Sequence, residues 1–306
     1  MTRLLASSVV RGSRQGESHG GLYRIDFEAG TVVQALDWNT MDIDWQGRGW
    51  DRGLRGIAFD GDTVYVAASD ELFAYTPDFA LLGSWRSPWL KHCHEICVHE
   101  RTLFLTSTGF DSILGFDLDG RRFIWGLQVT HGPGGDFTGA PFDPASRHGP
   151  PARNTLHLNN VHCAPGGMHI SGLRTGGILL FNGRLISRWV SLPEGIHNAR
   201  PFRDGVLFND TQADTVRWVS RQQEEQALPV PRYEASQLTH TELDDSRIAR
   251  QGFARGLCVL DDDIVAGGSS PSTISLYDMA RGRRLRQVTL TFDVRNAIHG
   301  LAPWPY

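Results

Sequence analysis

Ile298-His299-Gly300-Leu301-Ala302, near the end of the chain, alternates like a β-strand, yet no further strands follow it. The same kind of segment recurs earlier, and there each copy opens a group of several strands. Residues 4–8, 21–26 and 31–38 show the opposite defect, three strand-like runs with no opening strand of their own. The simplest resolution is that both ends of the chain complete one sheet, which leaves no unpaired sheet edge between them.

The groups between these ends repeat a common pattern. A short β-rich run ends in small residues: Val64-Tyr65-Val66-Ala67, Leu103-Phe104-Leu105-Thr106, Met168-His169-Ile170-Ser171, Val206-Leu207-Phe208-Asn209 and Ile264-Val265-Ala266-Gly267, with Leu4-Leu5-Ala6-Ser7 in the same slot. After a Gly/Ser/Asp-rich turn comes a second run, as in Leu72-Phe73-Ala74-Tyr75, Ile113-Leu114-Gly115-Phe116, Ile178-Leu179-Leu180-Phe181, Thr215-Val216-Arg217-Trp218, Ile274-Ser275-Leu276-Tyr277 and Leu22-Tyr23-Arg24-Ile25. Alternation with β-branched and aromatic enrichment marks strands. Counting nine residues back from each first run finds Arg55, His94, Asn159, His197 and Arg255 at the start of a preceding strand, with His299 as the sixth. Six four-stranded groups predict an all-β chain, a six-bladed β-propeller closed by N- and C-terminal strands in one blade and spanning residues 1–306 as a single domain.

Bulk composition excludes several functions. The balance of 34 acidic against 30 basic residues, without a Lys/Arg block, offers no track for a phosphate backbone, so no nucleic-acid partner is expected. No run approaches the roughly 20 apolar residues of a membrane span. The apolar stretch Leu4-Leu5-Ala6 is too short for a signal-peptide core, so a soluble, cytoplasmic protein is expected. Cys93, Cys97, Cys163 and Cys258 form no CxxC pair, and Cys97 and Cys258, at equivalent repeat positions, read as inert buried thiols. Nothing in the sequence addresses oligomeric state.

The strand starts carry the chemistry. Read in order they are Arg55, His94, Asn159, His197, Arg255 and His299, so histidines occupy every second blade. Three converging imidazoles suit a divalent metal such as Fe, Mn or Zn and leave coordination positions open, as in catalytic sites. Asn159 can add an oxygen ligand. Arg55 and Arg255 are suited to hold a carboxylate or phosphate, and His92 and His157, two residues ahead of neighbouring starts, to move a proton. Glu95 and Asn198 follow two of the histidines and can orient their rings. Segment 130–156 shows no strand pattern and reads as a lid, while Trp45 and Trp50 in the 41–53 loop are placed to stack on a ring.

His157-Leu158-Asn159-Asn160, Leu192-Pro193 through Ile196-His197-Asn198-Ala199-Arg200, and Gly252-Phe253-Ala254-Arg255-Gly256-Leu257 resemble a propeller-like bacterial family, domain of unknown function 4915, over residues 156–260. That resemblance implies no known activity. By architecture the arrangement is also similar to propeller lyases acting on uronates and to propeller oxygenases, which hold a metal on histidines. The expectation is a metal-dependent lyase or hydrolase acting on a small anionic substrate. The alternatives are a non-haem iron oxygenase on the same histidines or a non-catalytic propeller that binds a ligand or protein.

Overall fold

The computed structural model describes residues 2–13, 16–38, 53–132, 134–242 and 250–306. Among them lie six antiparallel sheets. The first joins β1 (Arg3–Val10), β2 (Gly21–Asp26) and β3 (Thr31–Asp37) to the last strand of the chain. The second runs β4 (Ile57–Asp60), β5 (Thr63–Ala68), β6 (Glu71–Tyr75), β7 (Leu81–Arg86). The third holds β8 (Ile96–His99), β9 (Thr102–Ser107), β10 (Ser112–Asp117), β11 (Arg122–His131) and a fifth strand, β12 (Phe137–Phe142). The fourth is β13 (Leu158–Ala164), β14 (Gly167–Gly172), β15 (Gly177–Phe181), β16 (Ile186–Ser191). The fifth is β17 (Ile196–Phe202), β18 (Gly205–Asp210), β19 (Thr215–Ser220), β20 (Glu225–Pro229). The sixth is β21 (Leu257–Val259), β22 (Ile264–Ser269), β23 (Thr273–Asp278), β24 (Arg283–Thr289). The final strand, β25 (Asn296–Pro303), pairs with β1, Leu5 opposite Ala302 and Ala6 opposite Leu301. The fold is a six-bladed β-propeller, with the blade closed by both chain ends as the repeat predicts.

The chain forms two compact units, Met1–Ile57 with Pro201–Tyr306, and Ala58–Arg200. Each is built from layers of apolar side chains between consecutive sheets. In the second unit one layer stacks Tyr65, Leu72, Ile96, Leu103 and Phe116, and another stacks Ile113, Leu127, Leu158, Ile170 and Leu179. In the first unit the layers are Leu4, Ile25, Ala266, Ile274 and Ile298, and Phe202, Leu207, Val216, Val265 and Tyr277. Middle strands such as β23 are buried throughout and outer strands such as β24 mostly exposed, because only a middle strand is covered on both faces. Each buried Leu, Ile or Phe contributes about 1.5–3 kcal/mol.

Side chains from one blade grip the backbone where the next blade's innermost strand begins. In the first unit Ser7 Oγ donates to the Arg55 carbonyl at 2.5 Å and Asn209 Nδ2 to the Gly256 carbonyl at 3.2 Å. In the second unit Thr108 Oγ1 donates to the Leu158 carbonyl at 2.5 Å and Asn159 Nδ2 to the Ile196 carbonyl at 2.9 Å. Asp111 and Asp214, both left-handed, add a second grip. The Asp111 carboxylate accepts the backbone N–H groups of Thr155, Leu156 and His157 at 2.6, 3.0 and 2.9 Å, and Asp214 accepts that of Phe253 at 3.0 Å.

Segment 130–156 departs from its reading as structureless. β11 continues to His131 and turns into β12, a fifth, edge strand that pairs from Gly126 opposite Phe142 to His131 opposite Phe137. Gly126 permits the addition, since a Cβ there would meet the Phe142 ring at 2.3 Å. Pro141 is tolerated because an edge strand leaves one side of its backbone unpaired. The chain then returns under Gln128, whose Nε2 donates to the Pro151 carbonyl at 3.0 Å, and reaches the Asp111 grip. Trp45 and Trp50 lie outside the described residues, as does the 41–52 part of the loop that carries them.

Asp111→Ala should lower unfolding free energy by about 3 kcal/mol or more, because several N–H groups lose a charged acceptor at once. Chemical denaturation measures this, and a loss under about 1 kcal/mol would show that the grip is dispensable.

Candidate functional site

Arg55, His94 and Arg255 each stand two residues ahead of an innermost strand, whereas Asn159, His197 and His299 sit inside one. The chain reaches four of these six starts through a left-handed residue two positions earlier: His92 (φ 55°), His157 (φ 53°), Gly195 (φ 84°) and Phe253 (φ 44°). The non-glycine members are strained in that region and are held there by the neighbouring blade, His157 and Phe253 by the two aspartates.

In the second unit His94, His157 and His197 come together. The His94 ring lies 5.3 Å from that of His157 and 6.4 Å from that of His197, centroid to centroid. His94 Nδ1 is 2.8 Å from the His92 carbonyl, which can only accept, so Nδ1 carries the hydrogen. Thr108 Oγ1, at 3.0 Å, spends its own hydrogen on Leu158 and accepts as well. The Nε2 of neutral His94 therefore holds the lone pair. His157 is set the same way by Asn154 Oδ1, 3.0 Å from its Nδ1. His94 and His197 are buried at 7% and 4% exposure, while His157 is half-buried. Asn159 is 1% exposed, and its Oδ1 is buried without a hydrogen-bond partner while Nδ2 holds the Ile196 carbonyl. Among the described residues no group of three or more His, Cys, Asp or Glu side chains converges to hold a metal. His92 contributes its carbonyl to fixing His94.

The first unit holds Arg55, Arg255 and His299. Arg255 Nη1 is 3.1 Å from His299 Nε2, and since a guanidinium only donates, that nitrogen accepts. Arg255 shares the Phe253 ring with Arg11 and Arg250, their Cζ atoms 5.5, 4.7 and 4.3 Å from its centroid. Arg250 is paired with Asp214 at 2.6 Å. Arg55 is 1% exposed, and Gly300 packs so closely on it that a Cβ would come within 2.2 Å of the Arg55 carbonyl oxygen.

A second polar cluster in the second unit was not expected from sequence. Asn198 Nδ2 donates to Glu95 Oε1 at 2.6 Å, so Glu95 and Asn198 bind each other. Burial pushes the Glu95 carboxyl up to about 8, opposed by the Asn198 hydrogen bond and by Arg200. Arg200 Nη2 lies 3.3 Å from His162 Nδ1, and Cys97 Sγ accepts the Cys163 N–H at 3.4 Å. Counting three residues on from His94, Asn159 and His197 gives Cys97, His162 and Arg200, a register that would have revealed the cluster.

No family model matches the chain, and no curated protein does. Among solved structures it is similar to a chain of a nidogen/laminin complex (13% identity, 98% of this chain and 97% of that one, TM-score 0.56). It is also similar to a protein of unknown function from Bacteroides caccae (11%, all of both chains, TM-score 0.55) and to the C-terminal WD40 domain of Sif2 (10%, 97% and 86%, TM-score 0.50). These likenesses define the class of fold alone. No helix among the described residues is long and apolar enough to cross a membrane.

Glu95 gives a pH-dependent prediction. Its folded-state value lies above that of an unfolded glutamate, so between about pH 4.5 and 8 the folded protein binds the extra proton and stability falls as pH rises. Glu95→Gln, which keeps an oxygen for Asn198, should flatten that fall and be more stable than the parent at pH 8–9 by on the order of a few kcal/mol. Urea denaturation across pH tests it; parallel pH curves for the two proteins would refute the assignment.

Proposed function

We propose that the protein is a metal-dependent enzyme of the lyase or hydrolase class acting on a small anionic organic substrate, with His94, His197 and Asn159 holding a divalent Fe, Mn or Zn ion. The observation that carries this reading is the fixed tautomer of His94, whose Nδ1 hydrogen is engaged by the His92 carbonyl and Thr108 so that Nε2 is the ligating nitrogen. Asn159 Oδ1, a buried acceptor lacking a donor, fits a cation or its bound water. His299 is left out of the ligand set because its Nε2 accepts from Arg255.

The metal would polarise a carbonyl or carboxylate oxygen. His157 is the proton carrier of this reading: Asn154 fixes its Nδ1–H, Nε2 is basic, and its half-exposed ring can exchange the proton with solvent. The anionic character of the substrate is supported by the first unit on its own, where Arg11, Arg250 and Arg255 surround one aromatic ring with Asp214 as the paired acid. Guanidinium groups suit carboxylates and phosphates. Kinship with domain of unknown function 4915 over residues 156–260 belongs to the same proposal and assigns no substrate.

Elemental analysis of the purified protein, after reconstitution with Mn²⁺, Fe²⁺ or Zn²⁺, should find about one equivalent of one of these metals, as expected for a mononuclear site. His94→Ala and His197→Ala should lose it while keeping the parent's circular dichroism and unfolding transition. No bound metal in the reconstituted parent, or undiminished metal in both variants, overturns the metal-dependent reading.

A further inference from the structure

We propose that Cys97 and Cys163 form a reactive dithiol that a small hydroperoxide oxidises to a disulfide. The two thiols belong to the innermost strands of consecutive blades, β8 and β13, within one compact unit. Their contact is direct: the Cys163 backbone N–H donates to Cys97 Sγ at 3.4 Å. Both cysteines are reduced and half-buried, at the margin of the apolar layer where Phe104, Trp125 and Phe181 also lie, so a small oxidant can reach them.

The surroundings divide the two sulfurs into unequal partners. Arg200 Nη2 sits 3.3 Å from His162 Nδ1, and because the guanidinium only donates, that nitrogen accepts. The remaining hydrogen of the neutral ring is then on Nε2. Hydrogen bonds from the Cys163 thiol, His162 and the Cys163 amide hold the Cys97 thiol below the ordinary thiol range, against the effect of burial. The same thiol-to-thiolate bond, with burial, pushes Cys163 well above the ordinary thiol range. Facing Cys97 are therefore His162 and Cys163 on β13, with Arg200 of β17 bound to His162 and Glu95 just ahead of β8. A thiolate stabilised by hydrogen-bond donors and adjacent to a protonated thiol is the arrangement in which one sulfur attacks and the other resolves.

Both steps balance. The Cys97 thiolate attacks the terminal oxygen of R–O–O–H. The O–O bond breaks, sulfur gains OH as a sulfenic acid, and the alkoxide leaves and takes a proton to become an alcohol. The Cys163 thiol then attacks the sulfenic sulfur. An S–S bond forms, the S–O bond breaks, and hydroxide departs with the Cys163 proton as water. The two sulfurs lose two electrons in total and the peroxide gains them.

The test uses the folded full-length protein, reduced and then treated with hydrogen peroxide before alkylation and peptide mapping. The expected result is a linked peptide pair containing Cys97 and Cys163, lighter by two hydrogens, with Cys258 still alkylated as a free thiol. In Cys163→Ser the intermediate should be trapped by dimedone on Cys97, and in Cys97→Ser neither product should form. Without any variant, native Cys97 should react with iodoacetamide at pH 7 at least about ten times faster than Cys163. Equal rates, or a cross-link that appears only in denaturant, would overturn the proposal.

Discussion

Everything at the strand starts depends on a hydrogen bond that crosses from one blade to the next. Ser7 and Asn209 lie in the second strands of their blades, Thr108 directly follows one, and all three donate to backbone carbonyls at the mouth of the following innermost strand. Three innermost strands are short, four residues in β4 and β8 and three in β21, and have few ladder bonds with which to fix their own position. Without the matching bonds to Asp111 and Asp214, His157 and Phe253 would have no reason to remain in the left-handed region, and the side chains that follow them would lose their direction. A buried carbonyl left without its donor costs about 1–3 kcal/mol, so each grip is an energetic requirement as well as a geometric one.

The two polar clusters of the second unit differ in how they use this frame. His94, His157, His197 and Asn159 sit at the starts themselves, where tautomers are set by carbonyl and amide oxygens. Glu95, Cys97, His162, Cys163, Asn198 and Arg200 lie one to four residues further along and bond to one another, Glu95 to Asn198 and His162 to Arg200 through side chains and Cys97 to the Cys163 backbone N–H. Imidazoles with defined lone pairs suit a cation, while a thiolate amid hydrogen-bond donors suits an electrophile. The strand register thus separates two chemistries by a few residues.

Most of the architecture was legible because the first and second runs of each repeat are β-branched, alternating and flanked by turn residues, as in Val64-Tyr65-Val66-Ala67 and Leu72-Phe73-Ala74-Tyr75. The innermost strands announce themselves only through the constant offset. β12 stayed hidden because Phe137-Thr138-Gly139-Ala140-Pro141-Phe142 has no alternation and contains two residues unfavourable in strands. The histidine starts were readable from register alone. The Cys97 to Cys163 contact was not, since it joins two strands separated by 66 positions, and a single strand's sequence reports only its own polarity.

The grips close on main-chain atoms. Ser7, Thr108 and Asn209 hold carbonyls, and Asp111 and Asp214 hold N–H groups, whatever residue stands at the mouth. Arginine, histidine and asparagine accordingly occupy the same slot in different blades of one chain. Asn159, whose own Nδ2 holds the Ile196 carbonyl, is the exception; elsewhere scaffold and chemistry are uncoupled at these positions, so drift can replace a mouth side chain in one blade while the others keep theirs. Such a frame is free to acquire new reactivity one blade at a time, and relatives sharing its outline need share nothing of its chemistry.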